Sequence, residues 1–326
     1  MKRYATGNLP EDERSQATRA TWLHFAGGLT QADVADRMGI TSLKAHRLIA
    51  SAAREGLVQF FIDGQVAECV GLESALTQQY GLKYCEVSPS LDEGDLPLKS
   101  IGRVGARYLR RLIQDNSPQI IGIGYGRTLA SCIDYLPHSQ AQHIKFVSLM
   151  GGLTRKFSAN PYDVIHRLTE RTHAEAYMMP VPFIANSVRD RTVCLEQRGV
   201  AEVFALAHQA SPLLVGIGSV HTEASLVATG MIDSSELNTA KAKGSVGEIL
   251  GHFFDCKGQV ITCDTSARII SLSYDAMRER KIIAIAGGTA KVEAILSVLR
   301  SGVLHGLMTD ELTATMLVAK TAEMAA

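Results

Sequence analysis

Apolar and polar positions along residues 15–70 keep a helical period and then shift to a shorter one. Ala32, Val34, Ala35 and Met38 gather near one side of a short helix over residues 31–38. Thr30 stands before it as an N-cap, and Gly39 follows where a turn between crossing helices needs a residue free of Cβ strain. Thr41 caps a second helix that runs to about Glu55. Its Leu43, Leu48 and Ile49 are expected to face the first helix, while Ser42, Lys44, His46, Arg47 and Arg54 point away. Gly56 stops it. Residues 57–61 and 65–70 read as two short strands around Asp63-Gly64, a hairpin turn signal. An earlier helix over residues 15–26 offers Trp22, Leu23 and Phe25 as anchors, with Trp22 expected in the core.

Helix-turn-helix plus hairpin is the pattern of a winged DNA-binding module. A helix presenting Lys44, His46 and Arg47 can enter the major groove, where Arg and Lys donate to guanine or to phosphate. The preceding helix, starting at Thr30 and Gln31, can offer backbone N–H groups to a phosphate. Thr30, Gln31, Thr41, Ser42, Lys44, His46 and Arg47 are therefore the candidate contacts to double-stranded DNA. The same pattern also suits a small helical domain that binds protein or caps the next domain.

Leu72, Ala75, Leu76 and Gln79 then keep helical spacing between Gly71 and Gly81, which predicts a linker helix over residues 71–83. From Tyr84 the pattern changes again. Cys85-Glu86-Val87 reads as a strand, and hydrophobic strands at residues 120–123, 146–150, 212–217, 281–286 and 303–308 then alternate with small-residue loops and amphipathic helices. Runs without polar alternation are strands buried on both faces, and strands alternating with helices make a parallel sheet. Such a sheet opens its ligand crevice at the carboxyl ends of its strands, where these Gly-rich loops fall. The expected fold class is α/β. A loose tail over residues 1–14 precedes a winged helix-turn-helix domain over 15–70, and after the linker a Rossmann-like parallel-sheet effector domain fills residues 84–326.

With 326 residues the chain can build two domains and a large core. Its 33 basic and 33 acidic residues cancel, so DNA binding has to be local to the small module. No apolar run reaches transmembrane length, and residues 1–13 lack the apolar core of a secretory signal, so no membrane partner is expected. The six cysteines form no C-x-x-C pair and no zinc spacing, which points to a reducing cytoplasm and to no metal.

The best ligand loop is Gly122-Ile123-Gly124-Tyr125-Gly126-Arg127-Thr128. Its glycines allow close backbone approach, and a helix N-terminus there attracts an anion or hydroxyl oxygens. It lacks the lysine of an ATP loop and the last glycine of a dinucleotide fingerprint, since Leu129 stands there, so no cofactor is implied. Gly287-Gly288-Thr289-Ala290-Lys291 is a second such loop, with Lys291 expected one turn into a helix. Glu248 is expected just inside another helix N-terminus, with His252 four residues on, and suits sugar hydroxyls. Gly151-Gly152 is followed by Asn160-Pro161, where Asn160 binds ligand or caps a helix. Arg167, Glu170, Arg171, His173 and Glu175 read as a solvated helix face.

Taken in order, these features resemble the SorC family of bacterial transcriptional regulators, the sugar-binding DeoR-type proteins, over nearly the whole chain. Residues 28–58, the linker helix, 122–129, Gly151-Gly152, 216–218, Gly247-Glu248 before Phe253-Phe254, Gly287-Gly288 with Lys291, and 307–311 carry the resemblance. Within the family, residues 151–155 and 159–161 look most like the repressors of erythritol operons. The resemblance implies an effector domain similar in fold to sugar-phosphate isomerases but without catalysis, and a homodimer or homotetramer. It implies a sugar, polyol or sugar-phosphate effector held by Gly124, Tyr125, Gly126, Arg127, Thr128, Gly151, Gly152, Asn160, Glu248, Gly287, Gly288 and Lys291. Met150 departs from the Arg or Lys that several phosphosugar-binding members carry there, which favours a neutral polyol or a differently held phosphate. The rival reading is a sugar-phosphate isomerase or kinase in which Glu248 and Lys291 serve as base and electrophile. A nicotinamide-binding sensor is a third, disfavoured by the incomplete glycine fingerprint.

Overall fold

The computed structural model describes residues 11–55, 57–58, 66–115, 117, 119–154, 163–221 and 224–325. The chain divides into two compact units, residues 1–63 and 64–326.

Among its described residues the first unit holds three α-helices, α1 (Glu11–Thr21), α2 (Gln31–Met38) and α3 (Ser42–Arg54). Thr30 and Asp33 form a reciprocal capping box on α2, and Gly39 ends it in the left-handed conformation at φ 66°. Thr41 caps α3 by accepting from Lys44 N at 3.2 Å. The core is built of small and aliphatic side chains: Ala17, Ala20, Val34, Ala35, Ala45, Leu48, Ile49 and Ala52. Alanines at these positions let the helices approach closely.

Four expectations fail over residues 11–80. The first helix starts at Glu11, four residues before the expected boundary at 15, and gives way to a π turn over Trp22–Ala26. That turn carries Trp22 off the core stripe set by Ala17 and Ala20, and Trp22 is 72% exposed instead of buried. Leu43 is 79% exposed, because the buried stripe of α3 runs through Ala45, Leu48, Ile49 and Ala52, one helical face away. The second strand expected over residues 65–70 is also absent. Helix α4 spans Ala67–Tyr80, with Cys69 and Leu76 buried two turns apart and Gly81 ending it at φ 65°. Gly71 therefore lies inside a helix whose apolar register already starts at Cys69. Asp63-Gly64 and most of the expected hairpin lie outside the described residues.

The second unit is organised on a seven-stranded sheet. Its strands are β1 (Tyr84–Ser88), β2 (Gln119–Ile123), β3 (Ile144–Ser148), β4 (Glu175–Tyr177), β5 (Leu213–Val215), β10 (Ile282–Ile285) and β11 (Gly306–Asp310). The intervening strands β6 (Gly218–Ser219), β7 (Ser245–Ile249), β8 (His252–Asp255) and β9 (Val260–Ile261) form a separate antiparallel sheet that the apolar pattern did not show. The large sheet runs β1-β11-β10-β5-β2-β3-β4, with every pairing parallel. Successive residues alternate between two cores. Leu213, Val215, Ile282, Ala284 and Leu307 belong to one, and Leu214, Ile283, Ile285 and Met308 to the other. Double-sided burial is why these strands read as unbroken apolar runs.

The strand order sets the site. From β2 the chain winds outward through β3 and β4. It then crosses to the other side of β2 for β5, and winds outward again through β10 and β11. The winding reverses between β2 and β5, so the loops leaving these two neighbours diverge and open a crevice.

At the β1 edge, Glu86 is buried among Arg107, Arg111 and the Tyr84 hydroxyl, with Arg111 Nη2 at 3.0 Å from its carboxylate. Helices α5 (Leu98–Gln114) and α6 (Arg127–Asp134) pack on one another. Gly102 and Gly105 of α5 sit where a Cβ would strike Ser131 and Cys132 of α6.

Candidate functional site

The crevice between the loops after β2 and β5 encloses about 560 Å3 of empty space, part of it open to solvent. Helix α6 points its N-terminus there. Gly126, at φ 130°, is its N-cap, and no neighbour lies within 4 Å of where a Cβ would stand. Arg127 and Thr128 of the first turn line the space. Among the described residues the Arg127 guanidinium has no hydrogen-bond or ion-pair partner. A helix N-terminus with a free guanidinium beside it is suited to an anion or to electronegative oxygens.

The opposite wall comes from the small antiparallel sheet. β6 follows β5 after Gly216 and Ile217 and pairs with β7, placing Gly218 opposite Glu248. A Cβ on Gly218 would stand 2.0 Å from Glu248 Oε1, so glycine here lets the carboxylate keep its place. β7 and β8 are joined by Leu250-Gly251, both at positive φ, the signature of a tight type I′ hairpin turn. Gly251 N donates to Glu248 Oε2 at 2.9 Å, so the turn holds the carboxylate that lines the cavity. Leu250 is a buried non-glycine residue at φ 50°, a strained conformation of the kind that collects at ligand sites.

Lys291 enters from a third direction. It ends the 3-10 turn Thr289–Lys291 and donates from Nζ to the Ile217 carbonyl at 2.9 Å. Burial, and then the nearby Arg127 charge, pull its ammonium pKa down from the usual lysine value to about 8, while Glu248 opposes them. Burial pushes the Glu248 carboxyl up, against the Gly251 hydrogen bond and the Lys291 charge. Met150, Phe183, Leu226 and Leu250 supply the apolar part of the lining. One anion-friendly end, one carboxylate, one ammonium and an apolar wall can recognise a small polyhydroxylated molecule by its hydroxyls and any acidic group.

Of the residues expected around an effector, Tyr125, Gly126, Arg127, Thr128, Glu248 and Lys291 converge on this cavity. Gly124, Gly151, Gly152, Gly287 and Gly288 are not among its lining residues. Gly124 packs tightly against the β5 backbone, and Gly151 N donates to Ile270 O and Gly152 N to Met179 O. Gly287 and Gly288 face Asp310: Gly288 N donates to Asp310 Oδ2 at 3.2 Å and to Thr313 Oγ1 at 2.8 Å. Asn160 lies outside the described residues. Glu248 is not at a helix N-terminus as expected but on β7, because residues 245–255 form a hairpin. His252 is therefore not its helical neighbour. It bonds the Leu272 carbonyl at 2.8 Å, and its burial lowers its pKa. Phe183, Ser225 and Leu226 carry no sequence signal that marks them as lining, whereas the Gly216-Ile217-Gly218 spacing does hint at a close backbone approach.

On the first unit, Ser42, His46 and Arg47 are exposed along one end of α3, with Lys44 half-buried beside them. Arg47 Nη2 pairs with Glu13 Oε1 on α1. Thr30 and Thr41 spend their hydroxyls on caps, and Asp33 takes the Thr30 amide. A phosphate at the start of α2 is left the amides of Gln31 and Ala32. Among the described residues no cluster of His, Cys, Asp and Glu could hold a metal ion, and no helix is long and apolar enough to cross a membrane.

A DNA-type helical head and a doubly wound sheet with a polar crevice at its switch point define a metabolite-responsive regulator architecture. Residues 64–319 match the family model Sugar-bind, a sugar-binding domain. The chain is 48% identical over 310 residues to the erythritol catabolism regulatory protein EryD of Brucella abortus (strain 2308), covering 95% of this chain and 98% of that one. It is 30% identical over 310 residues to the transcriptional regulator LsrR of Escherichia coli (strain K12), covering 93% and 94%. The full-length sorbitol operon regulator SorC from Klebsiella pneumoniae superposes with a TM-score of 0.69 at 26% identity, over 94% of this chain and 100% of that one. The chain belongs to the SorC-type family of sugar-binding transcriptional regulators.

Proposed function

We propose that this transcriptional regulator binds operator DNA through α3 and is controlled by a short polyol, a sugar or a phosphorylated derivative seated in the cavity of Arg127, Glu248 and Lys291. The observation that carries this reading is the convergence of those three side chains, from three separate segments, on the switch point of the sheet. Glu248 accepts from ligand hydroxyls. Arg127, Lys291 and the start of α6 take the electronegative end of the ligand, an acidic group included. The 48% identity to a protein named for erythritol catabolism supports a four-carbon polyol or its phosphate as the first ligand to try. Met150 in the wall offers no charge, so a phosphate would be held at the α6 end of the cavity.

The protein acts as a repressor in the cytoplasm, as a homodimer or homotetramer, with Lys44, His46 and Arg47 reading paired half-sites. Ligand shifts DNA affinity only if it binds the two subunit arrangements unequally. The test is a thermal-shift screen against tetritols, pentitols, hexitols and their phosphates, followed by titration of the winning compound into a protein–operator complex. A compound that raises the melting temperature and releases DNA supports the reading. A compound that stabilises the protein without changing DNA affinity removes the control function from this cavity.

A further inference from the structure

Leu43 stands out on α3. It is 79% exposed at the second position of the helix, while every core position of that helix is filled by Ala45, Leu48, Ile49 and Ala52. It is not a misplaced core residue, since the buried stripe is complete without it. It shares its helix face with His46 and Arg47, three and four residues on, both exposed. An aliphatic side chain is thus set among cationic and polar ones at the N-terminal end of the helix, the end that reaches base edges when such a helix lies in a major groove.

We infer that Leu43 is a base-reading residue that recognises the 5-methyl group of a thymine. This rests on the proposal that α3 is the DNA-reading helix, and it names a contact that the charged residues cannot make. The thymine methyl is the apolar group displayed in the major groove, and small apolar side chains meet it. The flanking charges argue for DNA over a protein partner as the occupant: Lys44 and Arg47 match the phosphates on either side of a groove and would be left desolvated against an apolar protein surface. The geometry then divides the labour. Arg47 and Lys44 supply affinity and guanine or phosphate contacts, and Leu43 supplies discrimination at a neighbouring A·T pair.

The experiment uses the full-length protein and a duplex enriched from a random pool by binding to it. That duplex is resynthesised with deoxyuridine in place of thymidine, one position at a time, which removes only the methyl group. The wild-type protein should lose about fourfold in affinity at one position per half-site, the equivalent of one buried CH2 group. L43A should bind the thymine and uracil duplexes equally, with an unchanged melting temperature because the side chain is exposed. Wild-type indifference to uracil at every position would overturn the assignment, as would an L43A variant that keeps the thymine preference. A change in self-association by L43A with the preference intact would also overturn it and make Leu43 a protein contact. Failure of the parent reading looks different: no duplex is enriched, or Arg47→Ala leaves affinity and salt dependence unchanged.

Discussion

Arg47 on α3 rests with Nη2 3.1 Å from Glu13 Oε1 on α1. The pair joins the first and third helices of the small unit and occupies a cation that the proposed function assigns to DNA. Both side chains keep solvent access, so the bridge is worth about 0–1 kcal/mol and yields readily to a phosphate or a guanine edge. Arg47→Ala should weaken operator binding and reduce the slope of log affinity against log salt by about one. Glu13→Gln should do the reverse, tightening binding by no more than about fivefold, the equivalent of 1 kcal/mol. Fluorescence anisotropy across a salt series reads both. Equal slopes for wild type and Arg47→Ala would remove Arg47 from the interface.

Gly218 and Glu248 face each other across β6 and β7 with no room for a methyl group, since a Cβ would fall 2.0 Å from the Glu248 carboxylate. Gly218→Ala should turn that carboxylate away from the cavity. The expected result is a loss of ligand-induced thermal stabilisation, with operator affinity unchanged in the absence of ligand. A normal ligand shift in this variant would mean that Glu248 does not touch the ligand.

Lys291 titrates near pH 8, against 10.5 for an ordinary lysine. Its folded pKa is depressed, so between about pH 8 and 10.5 the unfolded chain carries a proton that the folded chain lacks, and its share of stability rises with pH across that window. Chemical denaturation at pH 7.5 and 9.5 should show wild type gaining stability relative to Lys291→Met. Ligand binding has the opposite slope if the ligand is anionic: affinity falls by about tenfold from pH 7 to pH 9, as the protonated fraction falls from about nine-tenths to one-tenth. Lys291→Arg should lose this dependence. A neutral polyol gives no such fall, so calorimetry at the two pH values also separates the two ligand classes.

Glu86 is buried, whereas its partners Arg107 and Arg111 keep side-chain exposures of 28% and 55%. Glu86→Gln removes the carboxylate that Arg107 and Arg111 share, and solvent can screen the two guanidiniums. The expected loss lies between the exposed and buried limits, roughly 1–3 kcal/mol in urea denaturation. Ligand affinity should not change, because the β1 edge lies several strands from the crevice.

Much of this molecule is legible in its amino-acid order, for physical reasons. Residues such as Leu213–Val215 and Ile282–Ile285 are apolar without alternation because both faces are covered, and that pattern identified the parallel sheet. Thr30, Gly39 and Thr41 marked the helix ends of the small unit because caps are local chemistry. Gly126, Arg127, Glu248 and Lys291 were nameable singly. What placed Glu248 on a hairpin was the Leu250-Gly251 turn, hidden because leucine is a poor signal for positive φ. The exposure of Trp22 depended on a π turn, and that of Leu43 on which of two helical stripes fills a small alanine-rich core. The hydrogen bonds from Gly288 N to Asp310 and Thr313 are not legible in the sequence because their partners are remote in it. Lining residues such as Phe183 and Leu226 are ordinary apolar positions until the chain folds.

The central claim is that the cavity and α3 belong to one switch. Its most direct measurement is a titration of effector into the operator complex, followed by anisotropy, for wild type and for Lys291→Ala. The account predicts equal operator affinity without effector, and release of DNA from the variant only at effector concentrations at least about tenfold higher, the equivalent of 1.4 kcal/mol of lost contact. Identical release curves for the two proteins would contradict it.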